Sequence, residues 1–219
     1  MQVINARSHF RPGLRSAVAS LFILFASPLS GAPTETAAAP PPDQTVRDMT
    51  FDILRSLGTD SEDGQRPAEN SAELYAIVDQ VLAPHFDFAY ASRLVLGRFW
   101  KDASPAEREA FVRSFYSYLV RVYSHALLSA TEDTLEVLSY SYGIDEDKAV
   151  VKTLMRLPDG AEVPVDYRMR LTDSGWKVWD VVARGVSYVK IYRADFGAIS
   201  GSGGVSALNQ WLQSQQRVK

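Results

Sequence analysis

The chain contains no cysteine, which excludes disulfides, thiolate metal sites and a thiol nucleophile together. Histidine is scarce. His9 lies in the leader described below, and His85 and His125 are far apart with no cysteine to complete a metal-ligand spacing. No phosphate-cradling glycine loop occurs, since Gly201-Ser202-Gly203-Gly204 follows a helical pattern rather than a strand. A basic surplus is missing too: setting aside Arg7, Arg11 and Arg15 leaves 20 of the 23 basic residues against 26 acidic ones, a net charge near −6. That balance argues against a nucleic-acid partner.

Acidic residues are absent before Glu35. There, Arg7, Arg11 and Arg15 precede an uncharged run from Ser16 to Ser30 centred on Leu21-Phe22-Ile23-Leu24-Phe25. A basic start, a short apolar stretch and small residues after it form the pattern of a secretory signal peptide, expected over residues 1–32 and cleaved on export. The run is shorter than the roughly 20 apolar residues of a membrane span. Residues 33–45, rich in Ala, Pro and Thr, are expected to be a flexible tether. One domain is expected over residues 46–217, soluble in the periplasm once the leader is gone.

What the chain does have is a sheet. Residues 134–183 read as about four β-strands. Val163, Val165, Tyr167, Met169 and Leu171 alternate with Pro164, Asp166, Arg168 and Arg170, so one face is apolar and the other polar. Residues 149–157 repeat the pattern with Val151 and Met155 on one side; 176–183 set Trp179, Val181 and Ala183 against Val178, Asp180 and Val182. Asp145-Glu146-Asp147, Pro158-Asp159-Gly160 and Asp173-Ser174-Gly175 supply turns. Links this short favour an antiparallel meander. Everything else reads as helix: Val46 to Leu57, a second from Ser71 stopped near Pro84, and a third ending at Gly97. A long one opens at Ser104-Pro105-Ala106-Glu107, a capping box. Its stripe of Phe111, Phe115, Tyr118, Leu119, Val122 and Ala126 is long enough to cover the sheet. Two more helices follow the sheet, separated by Gly201 to Gly204. The class is α+β.

Asp180 is the unexpected residue, a carboxylate among apolar strand neighbours. The simpler account is a hydrogen bond or ion pair to a strand neighbour such as Arg168. The rival is a small-molecule enzyme on a cone-shaped α+β fold, with Asp180 as general base.

Several segments together resemble the MlaC family, also known as the toluene-tolerance auxiliary component family. They are Val95-Leu96-Gly97-Arg98-Phe99-Trp100, Ser104-Pro105-Ala106-Glu107-Arg108-Glu109-Ala110-Phe111, Tyr118-Leu119 with Tyr123, Val165-Asp166-Tyr167-Arg168-Met169, Trp176-Lys177-Val178-Trp179-Asp180-Val181, Gly185-Val186-Ser187, and Tyr192-Arg193 with Phe196. The resemblance runs from Val46 to about Gln216. It implies a periplasmic phospholipid shuttle that maintains outer-membrane lipid asymmetry: a twisted antiparallel sheet packed against helices, enclosing an apolar cavity for acyl chains. It implies no enzyme activity, no metal and no cofactor, the phospholipid being cargo. Implied partners are an outer-membrane lipoprotein–porin complex and an inner-membrane ABC transporter with a hexameric MCE-domain subunit. On that basis the apolar strand face should line the cavity through Val151, Met155, Val163, Val165, Tyr167, Met169 and Val181, with Val186 at its wall. Arg108, in the family's Arg-Glu-Ala-Phe segment, should help dock the partners, its basic edge extended by Arg98 and Lys101.

Overall fold

The computed structural model describes residues 39–57, 71–127, 134–143, 145–157 and 159–217. The expected leader, the first part of the tether, the loop after Leu57 and the side chain of His125 lie outside the described residues. The helices are α1 (Pro42–Ser56), α2 (Ser71–Ile77), α3 (Phe88–Leu96), α4 (Phe99–Asp102), α5 (Pro105–Leu127) and α6 (Tyr188–Arg217). The strands are β1 (Leu135–Tyr142), β2 (Lys148–Arg156), β3 (Glu162–Thr172), β4 (Gly175–Ala183) and β5 (Val186–Ser187).

The first helix starts a turn earlier than the composition of residues 33–45 predicts. Pro42 occupies the first turn, where its missing N–H costs nothing, and Asp43 follows where the helix dipole favours a negative charge. Thr45 and Val46 are already buried. After α2 the chain widens through a π-helical turn, Val78–Leu82, and then tightens into a 3-10 turn, Ala83–His85, that ends beyond Pro84. The capping box forms as predicted. Ser104 N–H donates to the Glu107 carboxylate at 2.9 Å and Glu107 N–H donates to Ser104 Oγ at 3.2 Å, and the first of these bonds holds the Glu107 carboxyl below its ordinary range.

The five strands form one antiparallel meander in the order β1-β2-β3-β4-β5. The fifth strand, not anticipated, is two residues long. It returns on β4 through Arg184 and Gly185, both at positive φ (49° and 79°), the twist a two-residue hairpin requires. Two register shifts break the alternation. In β1 the pairing slips between Val137 and Ser139, leaving Leu138 extra. In β4 Arg168 pairs with Asp180 while Met169 pairs with Val178, leaving Trp179 extra. This bulge changes the predicted faces of β4, because Val178 now packs in the same apolar cluster as Val181 and Ala183.

Two cores result. One lies on the sheet, where Val46 and Met49 of α1 pack with Ala149, Val151, Val163, Val165, Tyr167 and Met169. The other is a helix layer: Val95 and Leu96 of α3, Phe111 and Phe115 of α5, and Tyr192, Phe196, Leu208 and Leu212 of α6. The long helix α5 therefore packs against α6 and α3 rather than roofing the sheet, and α1 packs on β1 and β2. Val122, expected in its buried stripe, is 46% exposed. The predicted interruption of the last helical stretch falls at Gly203 and Gly204. Gly204 has φ 70°, and a Cβ on Gly203 would meet that of Ala207 at 2.7 Å, so an L side chain at either position is strained. Among the described residues no helix is long and apolar enough to cross a membrane.

Candidate functional site

Between the helix layer and β4 lies a cavity of about 220 Å³. Its floor is the bulged part of β4, Val178 to Val181. One wall is α5, which contributes two adjacent helical rows: Phe115, Leu119 and Tyr123 with Tyr116, Val120 and Ser124. The facing wall comes from the π-helical turn and the segment after it, through Val78, Leu82, Ala83, Phe86, Phe88 and Ala91. Tyr188, Val189 and Tyr192 at the start of α6 complete it.

Local chemistry fixes each wall. Phe86 forms a parallel bridge to Val178, and Asp87 N–H donates to Val178 O at 2.8 Å. The Asp87 carboxylate then caps α3 by accepting from Tyr90 N–H at 2.9 Å and pairs with Arg170 at 2.5 Å. Phe88 meets Tyr116 edge to face at 4.8 Å. The Tyr116 hydroxyl donates to Asp79 at 2.7 Å, joining α5 to the π-helical turn; burial and this carboxylate push the Tyr116 hydroxyl pKa up.

Asp180 belongs to the floor, and its oxygens are engaged. Oδ2 accepts from Arg168 at 3.0 Å and from Ser187 Oγ at 2.7 Å, while Oδ1 accepts from Val189 N–H at 3.0 Å. The Asp180 side chain is fully buried. This carboxylate thus ties β3, β5 and the first turn of α6 to β4, which is the simpler of the two accounts. Asp87 is likewise committed to structure. Among the described residues no three His, Asp or Glu side chains gather as metal ligands would.

Polar groups concentrate at the α5–α6 end. The hydroxyls of Tyr123 and Tyr192 lie 2.9 Å apart, and the rings of Tyr123 and Tyr188 are 5.5 Å apart. Burial pushes both Tyr123 and Tyr192 pKa values up, so both hydroxyls are protonated donors at any ordinary pH. Ser124 also lines the cavity, and its buried Oγ has no hydrogen-bond partner. Elsewhere the lining is almost wholly apolar. Such a cavity can hold hydrocarbon by the hydrophobic effect; among its described lining residues there is no uncommitted carboxylate and no histidine or lysine.

Most of the predicted lining lies away from this cavity. Val151, Val163, Val165, Tyr167 and Met169 do share one face, but they are buried in the core closed by α1, with Met155 packed against it. Tyr167 is buried there, its hydroxyl pKa pushed up to about 12 by desolvation. Val186 is 51% exposed on β5. Of the predicted set, Val181 alone lines the cavity. The strand alternation identified the apolar face but not which helix covers each part of it. The residues it missed are mostly aromatic and helical. Their signal was the width of the apolar surface on α5: Tyr116, Val120 and Tyr123 stand beside the stripe that packs on α6.

The basic edge is partly as expected. Arg98 and Lys101 are exposed, with the Arg98 guanidinium 4.8 Å from the Phe99 ring centroid. Arg108 is committed elsewhere. Its Nε donates to Trp100 O at 2.8 Å and a terminal nitrogen donates to Lys101 O at 3.2 Å, so it closes the carbonyl end of α4. Arg193 of α6 reaches the same corner, donating to Leu94 O at 2.6 Å.

Comparison with known proteins adds four findings. A model of the family described as MlaC protein matches residues 48–214. The toluene tolerance protein ttg2D of Pseudomonas putida is 25% identical over 169 residues, covering 77% of each chain. The intermembrane phospholipid transport system binding protein MlaC of Haemophilus influenzae is 25% identical over 143 residues, 64% of this chain and 67% of that one. Among solved structures, a phospholipid-binding protein from Ralstonia solanacearum, determined in complex with a phospholipid, superposes with a TM-score of 0.71 at 27% identity. The match covers 80% of this chain and 96% of that one.

Proposed function

The chain belongs to the MlaC family, and from that premise we propose that it is a phospholipid carrier whose cavity takes up acyl chains. The supporting observation is the cavity itself: hydrocarbon-lined, set between β4 and the helix layer, and free of any uncommitted acid or base. Two acyl chains of about 14 methylenes each gain on the order of 20 kcal/mol on leaving water. A bilayer offers them the same gain, so a carrier must match it with an equally dry pocket, and it needs no catalytic residue for this. The lipid is cargo rather than cofactor. At about 220 Å³ the cavity lies below the ~300–1,000 Å³ of usual ligand pockets, so loading widens it.

In this proposal the protein is exported to the periplasm, loses residues 1–32, and shuttles lipid between an outer-membrane lipoprotein–porin complex and an inner-membrane ABC transporter bearing a hexameric MCE-domain subunit. That traffic maintains outer-membrane lipid asymmetry. Docking falls to exposed cations such as Arg98 and Lys101, since rim charges speed encounter without creating a sticky patch. Arg108 makes a poor probe of docking, because its reversal also removes the bonds that close α4.

Solvent extraction of gently purified protein, followed by lipid mass spectrometry, tests the core of the proposal. About one phospholipid per chain is expected, and protein that emerges free of phospholipid overturns it. Lys101→Glu should leave that load unchanged and slow transfer to a reconstituted transporter, most at low salt.

A further inference from the structure

We infer that the hydroxyls at the α5–α6 end of the cavity, with Ser124 as the buried member, form a site for the ester carbonyls of a diacyl glycerolipid. This rests on the carrier reading and narrows it to a linkage chemistry.

Ser124 is 2% exposed, and its hydroxyl has no hydrogen-bond partner. A buried hydroxyl left unpaired is costly, and in mid-helix a serine ordinarily bonds back to a carbonyl one turn earlier. Ser92 and Ser200 are also buried without partners, but neither lines the cavity; Ser124 does. Tyr123 and Tyr192 line the same cavity, with their hydroxyls 2.9 Å apart. Only one of their two protons is used in that contact, so the pair keeps a donor for a third atom. The available groups at this end are therefore neutral donors, and they call for an acceptor.

Position selects the acceptor. Tyr123, which lines the cavity, is 38% exposed, so this end reaches the surface, while Val78, Leu82, Ala83, Phe86 and Phe88 make the far wall largely apolar. In a lipid with its chains inside and its head group outside, the ester linkages fall at that boundary. Each ester carbonyl accepts and none donates, which matches hydroxyls. A free fatty acid fits less well: among the described residues lining the cavity there is no lysine or arginine, while Asp87 and Asp180 are present, so a carboxylate would be desolvated without a cation.

The experiment is a competition. Delipidated full-length mature protein is incubated with vesicles of equal parts diacyl phosphatidylcholine and its dialkyl ether analogue, re-isolated, and its lipid quantified by mass spectrometry. The wild type should carry the diester in about three- to tenfold excess, the range for one or two hydrogen bonds. Ser124→Ala should bring the two towards parity. It should fold normally, because alanine is the better helix former and the lost hydroxyl bonds to nothing within the protein. Ser200→Ala, removing an equally unpaired hydroxyl away from the cavity, should keep the preference. Equal loading by the wild type, or a preference that survives Ser124→Ala, overturns the inference while leaving the carrier intact. Uptake of neither lipid overturns the carrier reading and the ester site together.

Discussion

Over β1 and β2 the sheet is closed by α1, whose Val46 and Met49 share one buried cluster with Ala149, Met169 and the valines of β2 and β3. At the bulged part of β4 the sheet borders a cavity walled by Phe86, Phe88, Phe115, Tyr116, Tyr188 and Tyr192. Both regions are built from apolar side chains, and the difference lies in their shape. Short branched aliphatics nest into one another at crystal-like density. The rings of the helix layer meet edge to face, as Phe115 does with Tyr192 at 5.2 Å and Phe88 with Tyr116 at 4.8 Å. Such rings brace one another across distances that no aliphatic chain fills. One region is a core and the other a container, and the bulge at Trp179 marks where β4 passes between them.

Substitutions can separate the two. The largest effect belongs to the core. Met169 is fully buried, and Met169→Ala should cost about 2–5 kcal/mol in denaturant unfolding while leaving lipid per folded chain unchanged; a lipid loss at full stability would mean that the cargo reaches the core. Next is the element shared by both regions. Asp180→Asn removes the charge that Ser187, Val189 and Arg168 surround and should cost about 1.5–3 kcal/mol. Most of that comes from the two buried bonds, since the Arg168 side chain is 35% exposed and its pairing is screened. Retained lipid binding is expected in the refolded variant.

A third test uses alkaline pH. The Tyr167 hydroxyl has its pKa raised to about 12 by burial, so the folded state favours the protonated form. Its contribution is complete below the unfolded value near 10 and is lost as pH rises through about 12. Tyr167→Phe should therefore flatten the fall of stability across that window by up to about 1.4 kcal/mol per pH unit. An unchanged slope would mean that Tyr167 stays wet. The smallest stability effect belongs to the container. Leu119→Phe adds bulk where there is room, so stability should shift by less than about 1 kcal/mol, yet the lipid load of purified protein should fall below half. Full loading would put the chains elsewhere.

How far the sequence foretold this molecule differs between the same two regions. The meander, its turns and its apolar face were legible because period two is a local property, as were the capping box at Ser104 and the pairing of Asp180 with Arg168. The container was not, because it depends on which helix covers which strand. Val151 and Tyr167 face the right way but lie in a core completed by Val46 and Met49 of α1, about a hundred residues earlier in the chain. The slip at Trp179 also regroups Val178 with Val181, and no alternation pattern announces a bulge. The bonds of Arg108 were hidden for a related reason: the two carbonyls it meets are recognisable only once α4 has formed.

The two borders of the sheet carry a consequence for self-association. A strand border with open N–H and C=O groups invites another chain to pair with it, and crowded conditions multiply the opportunities. One border here, β5, is two residues long. The other, β1, exposes Leu138, Tyr140 and Tyr142, enough apolar surface to attract a second copy. Its slip at Leu138 twists the ladder out of line, and Arg47 already holds the Val137 carbonyl at 3.3 Å. The irregularity in β1 thus works as a guard against edge-to-edge stacking. Deleting Leu138 would straighten the strand, and the protein that resulted should leave solution as aggregates at concentrations where the parent stays dispersed.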